Sequence, residues 1–275
     1  MLNQQTIATL NALKLFGMAT GFQHRLSNPN HAELSHAEFV GLLVQDEKTY
    51  RDNQRLKRLL KNARLRQPAC LEDIDYRYPR SLSKQVLLEL SSTRWLDAHR
   101  NVLITGPTGI GKSYLACALG NFAARNGYTV LYLRTPRLFE ALQQARGDGS
   151  HLKTLTRLAR VQLLILDDLL LVPPTDWERR DLLEIVEDRY QSGATIITSQ
   201  CPTNDWHPNI GDPTLGLTPY AIACSPKPTG SSSGVIRCAR IREDRRPAHR
   251  RVRRMGREVT WGNPGKERTL QMTLA

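Results

Sequence analysis

Cysteine is sparse and scattered in this chain. None of the five (Cys70, Cys117, Cys201, Cys224, Cys238) forms a C-x-x-C pair. That spacing suggests neither a thiolate zinc site nor a disulfide framework, so reduced, structural thiols are expected. Long apolar runs are also missing: nothing approaches the ~20 apolar residues a membrane helix needs. The opening MLNQQTIATLNALKLFG lacks a basic region, an apolar core and a small-residue cleavage site in that order. The expectation is no signal peptide, no membrane and a cytoplasmic location. What the chain does have is 275 residues at 40% hydrophobic content, enough for one good core and a small accessory domain. It also carries a formal charge of +13, which suggests an anionic partner such as nucleic acid. That charge is uneven. Residues 216–275 hold 13 of the 39 Lys and Arg but 4 of the 26 Asp and Glu, so +9 lies there against +4 in residues 1–215.

Three regions follow from the patterning. Residues 1–70 read as helical, with Leu10, Leu13, Phe16 and Gly17 at helical spacing and Pro29 as a breaker. Ser35 and Glu38 have the form of a capping box opening a second helix. That helix runs through Phe39, Leu42, Leu43 and Tyr50 into a basic stretch, Arg51 to Arg66, and ends at Pro68. Residues 71–215 alternate strand-like and helix-like segments. Strands are expected at Val102–Thr105, Tyr128–Leu133, Val161–Leu166 and Ala194–Ser199. Helices are expected at Lys112–Arg125, Pro136–Arg146, Leu152–Arg160 and Glu178–Tyr190. Apolar strands alternating with helices imply an α/β fold, a parallel sheet flanked by helices on both faces. Residues 216–275 change to SPKPTGSSSG and an arginine-rich run, with no sustained hydrophobic period. No fold is assigned to them, and a disordered basic tail is expected.

The segment Gly106-Pro107-Thr108-Gly109-Ile110-Gly111-Lys112-Ser113 satisfies G-x-x-x-x-G-K-[ST], between a predicted strand and a predicted helix. Glycines let the backbone wrap close to phosphate oxygens. Amide groups at the helix start, with the helix dipole, favour an anion there. Lys112 is placed to reach β- and γ-phosphates and Ser113 to put its hydroxyl on Mg²⁺, so ATP with Mg²⁺ is the expected ligand. The run Leu163–Leu166 ends in Asp167 and Asp168. Carboxylates ending a buried apolar strand are costly unless a cation sits there. Asp167 is therefore the Mg²⁺ residue, and Asp168 is placed to orient or deprotonate the attacking water. A whole strand lies between the two motifs, so their strands are not expected to be neighbours. The strand ending Thr198-Ser199-Gln200 should lie between them. Thr198 is taken as the catalytic sensor of the γ-phosphate, with Ser199 and Gln200 as the other candidates.

These stretches together resemble an IstB-type ATPase, the helper of a family of bacterial insertion sequences and an AAA+ relative of DnaC and DnaA. The matching residues are ARLRQPACLEDIDY, NVLITGPTGIGKSYLACALG, GYTVLYLRTPRLF, LLILDD, ERRDLLEIVEDRY, TIITSQ and IGDPTL, in order through residue 215. The resemblance implies an AAA+ P-loop ATPase core at 71–215 behind a small helical N-terminal region at 1–70. It implies an ATP-dependent, DNA-binding homo-oligomer that selects target DNA and activates a transposase. The N-terminal region would bind DNA or the transposase, and its stretch from Arg51 to Arg66 is compatible with non-specific phosphate contacts.

There are departures. Family members commonly carry an aromatic and a glycine where this chain has Leu169 and Leu170, and many AAA+ proteins carry glutamate where it has Asp168. After GDPTL the chain reads GLTPYAIACS. Back-translated and shifted by one base, that segment can encode Ala-Asp-Ala-Ile, then Cys or Arg, then Asp-Arg-Leu, where the family continues approximately Ala-Asp-Ala-Ile-Leu-Asp-Arg-Leu. Residues 216–275 are accordingly expected to arise from a frameshift, and the arginine of the Asp-Arg-Leu stretch, expected to contact a nucleotide, would be lost. Two other functions use the same fold or ligand: a DnaC-like helicase loader, and a non-hydrolysing ATP- and DNA-binding adaptor. A small-molecule kinase would want an arginine-rich lid that residues 71–215 do not offer.

Overall fold

The computed structural model describes residues 2–27, 34–74, 84–201, 206, 235–238 and 270–274. The chain divides into two compact units, 1–62 and 63–275, so the division falls before the expected residue 70.

The first unit is helical: α1 (Leu2–Ala12), α2 (Phe16–Leu26) and most of α3 (His36–Ala63). Two helices stand where one was expected before Pro29. Lys14 takes a left-handed φ of 60°. The Leu15 and Lys14 amides turn back to the Leu10 and Asn11 carbonyls, closing α1 as a glycine would. The start of α2 is held by the buried Glu47 of α3, whose Oε2 accepts from the Gly17 and Met18 amides at 2.7 and 3.1 Å. Burial pushes the Glu47 carboxyl up, but the Arg51 guanidinium and these two amides outweigh it and hold it low. Gly17 permits the approach, since a Cβ there would lie 2.6 Å from the Asp46 carbonyl oxygen. The capping box forms: the Ser35 amide donates to Glu38 and the Glu38 amide to the Ser35 hydroxyl. Helix α3 stops at Ala63, short of Pro68, because Arg64 turns left-handed with φ 51°.

The second unit opens with two short helices, α4 (Lys84–Leu90) and α5 (Arg94–Asp97), and then alternates. The order is β1 (Val102–Thr105), α6 (Lys112–Arg125), β2 (Val130–Arg134), α7 (Thr135–Gly147), α8 (His151–Ala159), β3 (Leu163–Leu169), α9 (Asp176–Arg189) and β4 (Ala194–Ser199). Each expected strand and helix is present, with ends moved by a few residues. The four strands are parallel in the spatial order β2-β3-β4-β1. The acidic strand β3 is thus separated from the P-loop strand β1 by β4, as expected.

Strand alternation assigns the two faces. Leu103, Leu131, Leu164, Leu166 and Ile197 pack with Leu138 and Leu142 of α7, Leu158 of α8 and Ile185 of α9. The opposite face meets α6: a Cβ on Gly120 would lie 2.7 Å from Ile165 Cδ1, so glycine sets the closeness of that helix. Asp167 and Thr198 share this α6 face, two residues on from Ile165 and Ile196.

The tail is a correction to the sequence reading. Two strands lie within 216–275: β5 (Val235–Cys238) and β6 (Leu270–Leu274). Strand β6 pairs antiparallel with β1, and β5 with β6. The signal was Leu270, Met272 and Leu274 alternating with Gln271 and Thr273, a period of two that the arginine-rich composition obscured.

Candidate functional site

The loop 106–111 joins β1 to α6. Its first amide, on Gly106, donates to the Ser199 carbonyl at 3.1 Å and ties the loop to β4. Gly111 sits at φ 94° as the N-cap of α6 and supplies no side-chain cap. Only glycine takes this conformation without strain, and it leaves the first amides of a 14-residue helix to an external anion. Gly109 is left-handed too, φ 83°, with open space where a Cβ would go. The Lys112 ammonium donates to the Gly106 and Pro107 carbonyls at 2.7 and 3.0 Å. Burial pushes the Lys112 pKa down, against the charges of Asp168 and Asp167. The loop is therefore curled around its own lysine.

Asp167 is the buried centre of the site, with no solvent exposure. Ser113 Oγ donates to its two oxygens at 2.8 and 2.9 Å. Thr198 Oγ1 donates to Oδ1 at 2.5 Å and the Tyr132 hydroxyl to Oδ2 at 2.5 Å. Burial and the bond to Asp167 push the Tyr132 hydroxyl pKa far up, so it stays a donor. Arg66 Nη1 lies 3.7 Å from the same Oδ2.

A bulge separates Asp167 from Asp168. Leu166 pairs with Ile197 and Leu169 with Ser199, so β3 carries one residue more than β4 across this step. Asp168 absorbs it at φ 61°. Its amide donates to Thr198 Oγ1 at 3.0 Å. Its carboxylate accepts from Arg134 Nη2 and Nε at 2.9 and 3.2 Å. Leu170 is also left-handed, φ 57°. That is where relatives were expected to carry glycine, and the leucine costs on the order of 1 kcal/mol in backbone strain.

The three candidates at the end of β4 separate. Thr198 is fully buried beneath the two aspartates. Ser199 donates to the Leu169 carbonyl. Gln200 is the one that reaches the loop, its Oε1 accepting from Thr108 Oγ1 at 2.8 Å. The basic stretch separates too. Arg51 pairs with Glu47, and Arg55, Lys57, Arg58 and Lys61 are exposed along α3, but Arg66 stands beside Asp167. Sequence reading missed Arg66, Tyr132 and Arg134 as members of the site. Tyr132 and Arg134 are two apart on the strand that pairs with the acidic one, and that pairing, not a local motif, puts them in the site.

The residues fit a magnesium nucleotide. Uncapped amides at a helix start, a lysine and a hydroxyl suit phosphate oxygens. Among the described residues no group of three or more His, Cys, Asp or Glu could hold a metal. Magnesium held by one carboxylate, one hydroxyl and the phosphates needs none. Among the same residues no helix is long and apolar enough to cross a membrane.

The sequence profile described as IstB-like ATP binding protein matches residues 8–218. The chain belongs to the IstB-like family. An insertion-sequence protein of Sinorhizobium fredii, y4pL, named as ATP-binding, is 49% identical over 78% of this chain and 87% of its own length. The ATP-binding protein named for the insertion sequence IS1162 of Pseudomonas fluorescens is 45% identical over 84% of this chain and 100% of its own. Among solved structures, a DnaC helicase loader is 20% identical, with a TM-score of 0.48 over 57% of this chain and 94% of that one. The IstB-like match takes in helices of the first unit as well as the P-loop core, and it stops three residues beyond Leu215.

Proposed function

We propose that this IstB-like chain binds ATP with Mg²⁺ at Gly106–Ser113, hydrolyses it, and acts as an ATP-dependent helper of DNA transposition. The observation that carries the reading is the contact of Ser113 with the buried Asp167 beside a loop whose helix start has no side-chain cap. Pro107, Thr108, Gly109 and Ile110 line the phosphate path with their backbone, and Lys112 turns from its two carbonyls to the β- and γ-phosphates. Ser113 and Asp167 hold the metal, which supplies charge neutralisation on the phosphates when bound. Thr198 orients Asp167 and Asp168, and Gln200 faces the γ-phosphate end of the loop. Asp168 serves as water-orienting carboxylate once it leaves Arg134. The exposed row Arg55, Lys57, Arg58 and Lys61 on α3 contacts DNA phosphates without sequence preference. A transposase and further copies of this chain are its protein partners, and its location is cytoplasmic.

A second reading is a nucleotide- and DNA-binding adaptor that does not turn over. The Arg134–Asp168 pair favours it, because a carboxylate engaged by a guanidinium is not free to orient a water. The relatives' names favour transposition over a helicase loader. In the frameshift reading, residues 216–275 replace a segment with an arginine directed at nucleotide, and such an arginine contributes about 10³-fold or more in rate. The test is ATP turnover with and without duplex DNA, for this chain, a frame-restored chain and Asp167→Asn. DNA-stimulated turnover in the restored chain, at least tenfold above this chain and absent in Asp167→Asn, is expected (about 1.4 kcal/mol per decade). Equal rates in the first two chains would sink the account of the tail. Bound nucleotide with no turnover in any chain would support the adaptor.

A further inference from the structure

We infer that Arg66 is the resident counter-ion of Asp167 and sets how tightly the site takes its divalent metal. The inference rests on the reading of Asp167 as the metal residue.

Asp167 is wholly buried, and a buried carboxylate is costly without compensation. Three hydroxyls (Ser113, Thr198 and Tyr132) supply hydrogen bonds but no charge. The lysine of the loop is turned to the Gly106 and Pro107 carbonyls. Arg134 is paired with Asp168. Among the described residues, the cation within ion-pairing distance of Asp167 is Arg66, 3.7 Å from Oδ2.

The geometry of Arg66 suits a counter-ion better than a positioning group. At 3.7 Å it lies beyond hydrogen-bond length, so it does not fix the carboxylate's orientation. The three hydroxyls already do that. Its side chain is 52% exposed, so it can withdraw into water without leaving a buried group stranded. Burial works against the Arg66 charge, but a hydrogen bond with Tyr132 and the charges of Asp167 and Asp168 outweigh it and hold its proton firmly. A divalent ion beside Asp167 must either tolerate this positive charge or displace it into water. Its affinity is therefore lower than the carboxylate alone would give.

Arg66 comes three residues after Ala63, the last residue of α3. The segment that carries the chain out of the helical unit thus also carries the charge that tunes the metal site.

The probe is Mn²⁺, followed by electron paramagnetic resonance of the free ion, titrated into the full chain with a saturating non-hydrolysable ATP analogue at pH 7.5. Arg66→Gln is expected to tighten Mn²⁺ binding about tenfold, the effect of deleting one partly screened like charge near the ion. Arg66→Lys keeps the charge and should stay within about twofold of wild type, and so should Tyr132→Phe, which removes a bond to the same oxygen but no charge. Unchanged or weaker Mn²⁺ binding in Arg66→Gln would overturn the inference, as would a tightening of the same size in Tyr132→Phe. Asp167→Asn separates the two levels. If it leaves Mn²⁺ affinity untouched, the reading of Asp167 fails. If it weakens binding while Arg66→Gln does nothing, only the counter-ion role fails.

Discussion

Arg189→Met is expected to destabilise the second unit by about 4 kcal/mol and lower its melting temperature by roughly 10 °C. Arg189 is 3% exposed, and among the described residues no carboxylate pairs with it. Its guanidinium donates instead to the carbonyls of Leu158, Val161 and Ala194 at 2.7, 2.6 and 2.6 Å, and to Thr195 Oγ1 at 3.0 Å. One fork thereby ties the end of α8, the turn into β3 and the start of β4. Gly193 lets it approach, since a Cβ there would lie 2.7 Å from Arg189 Nη2. Burial pushes the Arg189 pKa down to about 10, which still leaves it charged at neutral pH. Methionine fills much of the volume but strands the carbonyls, each costing about 1–3 kcal/mol when buried and unpaired. Thermal unfolding by circular dichroism reads the effect. A melting temperature within about 2 °C of wild type would show that water or local rearrangement satisfies those oxygens.

Lys112→Ala is expected to lower ATP affinity about 100-fold while leaving the fold intact. The ammonium already stands inside the loop, buried, on two neutral carbonyls. Exchange of those neutral acceptors for anionic phosphate oxygens adds the attraction of opposite charges to hydrogen bonds that already have a charged donor. Burial has lowered its pKa, so the charge gains more from an anion than a solvated lysine would. The measurement is anisotropy of a fluorescent ATP analogue, with the melting temperature as a control for folding. Affinity within about threefold of wild type would mean that the loop amides alone hold the phosphates.

The legibility of the site follows its chemistry. That Gly111, Lys112, Ser113 and Asp167 come together could be read from sequence, because a glycine loop between a strand and a helix and an acidic strand end carry fixed residue types at fixed spacing. The strand order was legible for a related reason: one whole strand intervenes between the two motifs. Arg66, Tyr132 and Arg134 were not legible as site residues, because what brings them together is the pairing of β2 with β3 and the course of the chain after Ala63. Neither carries a local mark. The break at Lys14 was hidden for another reason: a lysine closes the helix in a conformation usually signalled by glycine. The bulge at Asp168 needs a register count across two strands, which one sequence cannot supply. Leu270–Leu274 was legible by its alternation, but it is a single short run after an arginine-rich stretch that shows no hydrophobic period.

Under the proposed function, magnesium ATP is held on the loop from Gly106 to Ser113. Amide hydrogen exchange of the full chain, with and without ATP and Mg²⁺, tests it most directly. The account predicts that amides 108–113 slow by at least about tenfold with ligand, and that this protection disappears in Lys112→Ala. Protection confined to another segment, with the loop exchanging at the same rate in both conditions, would contradict it.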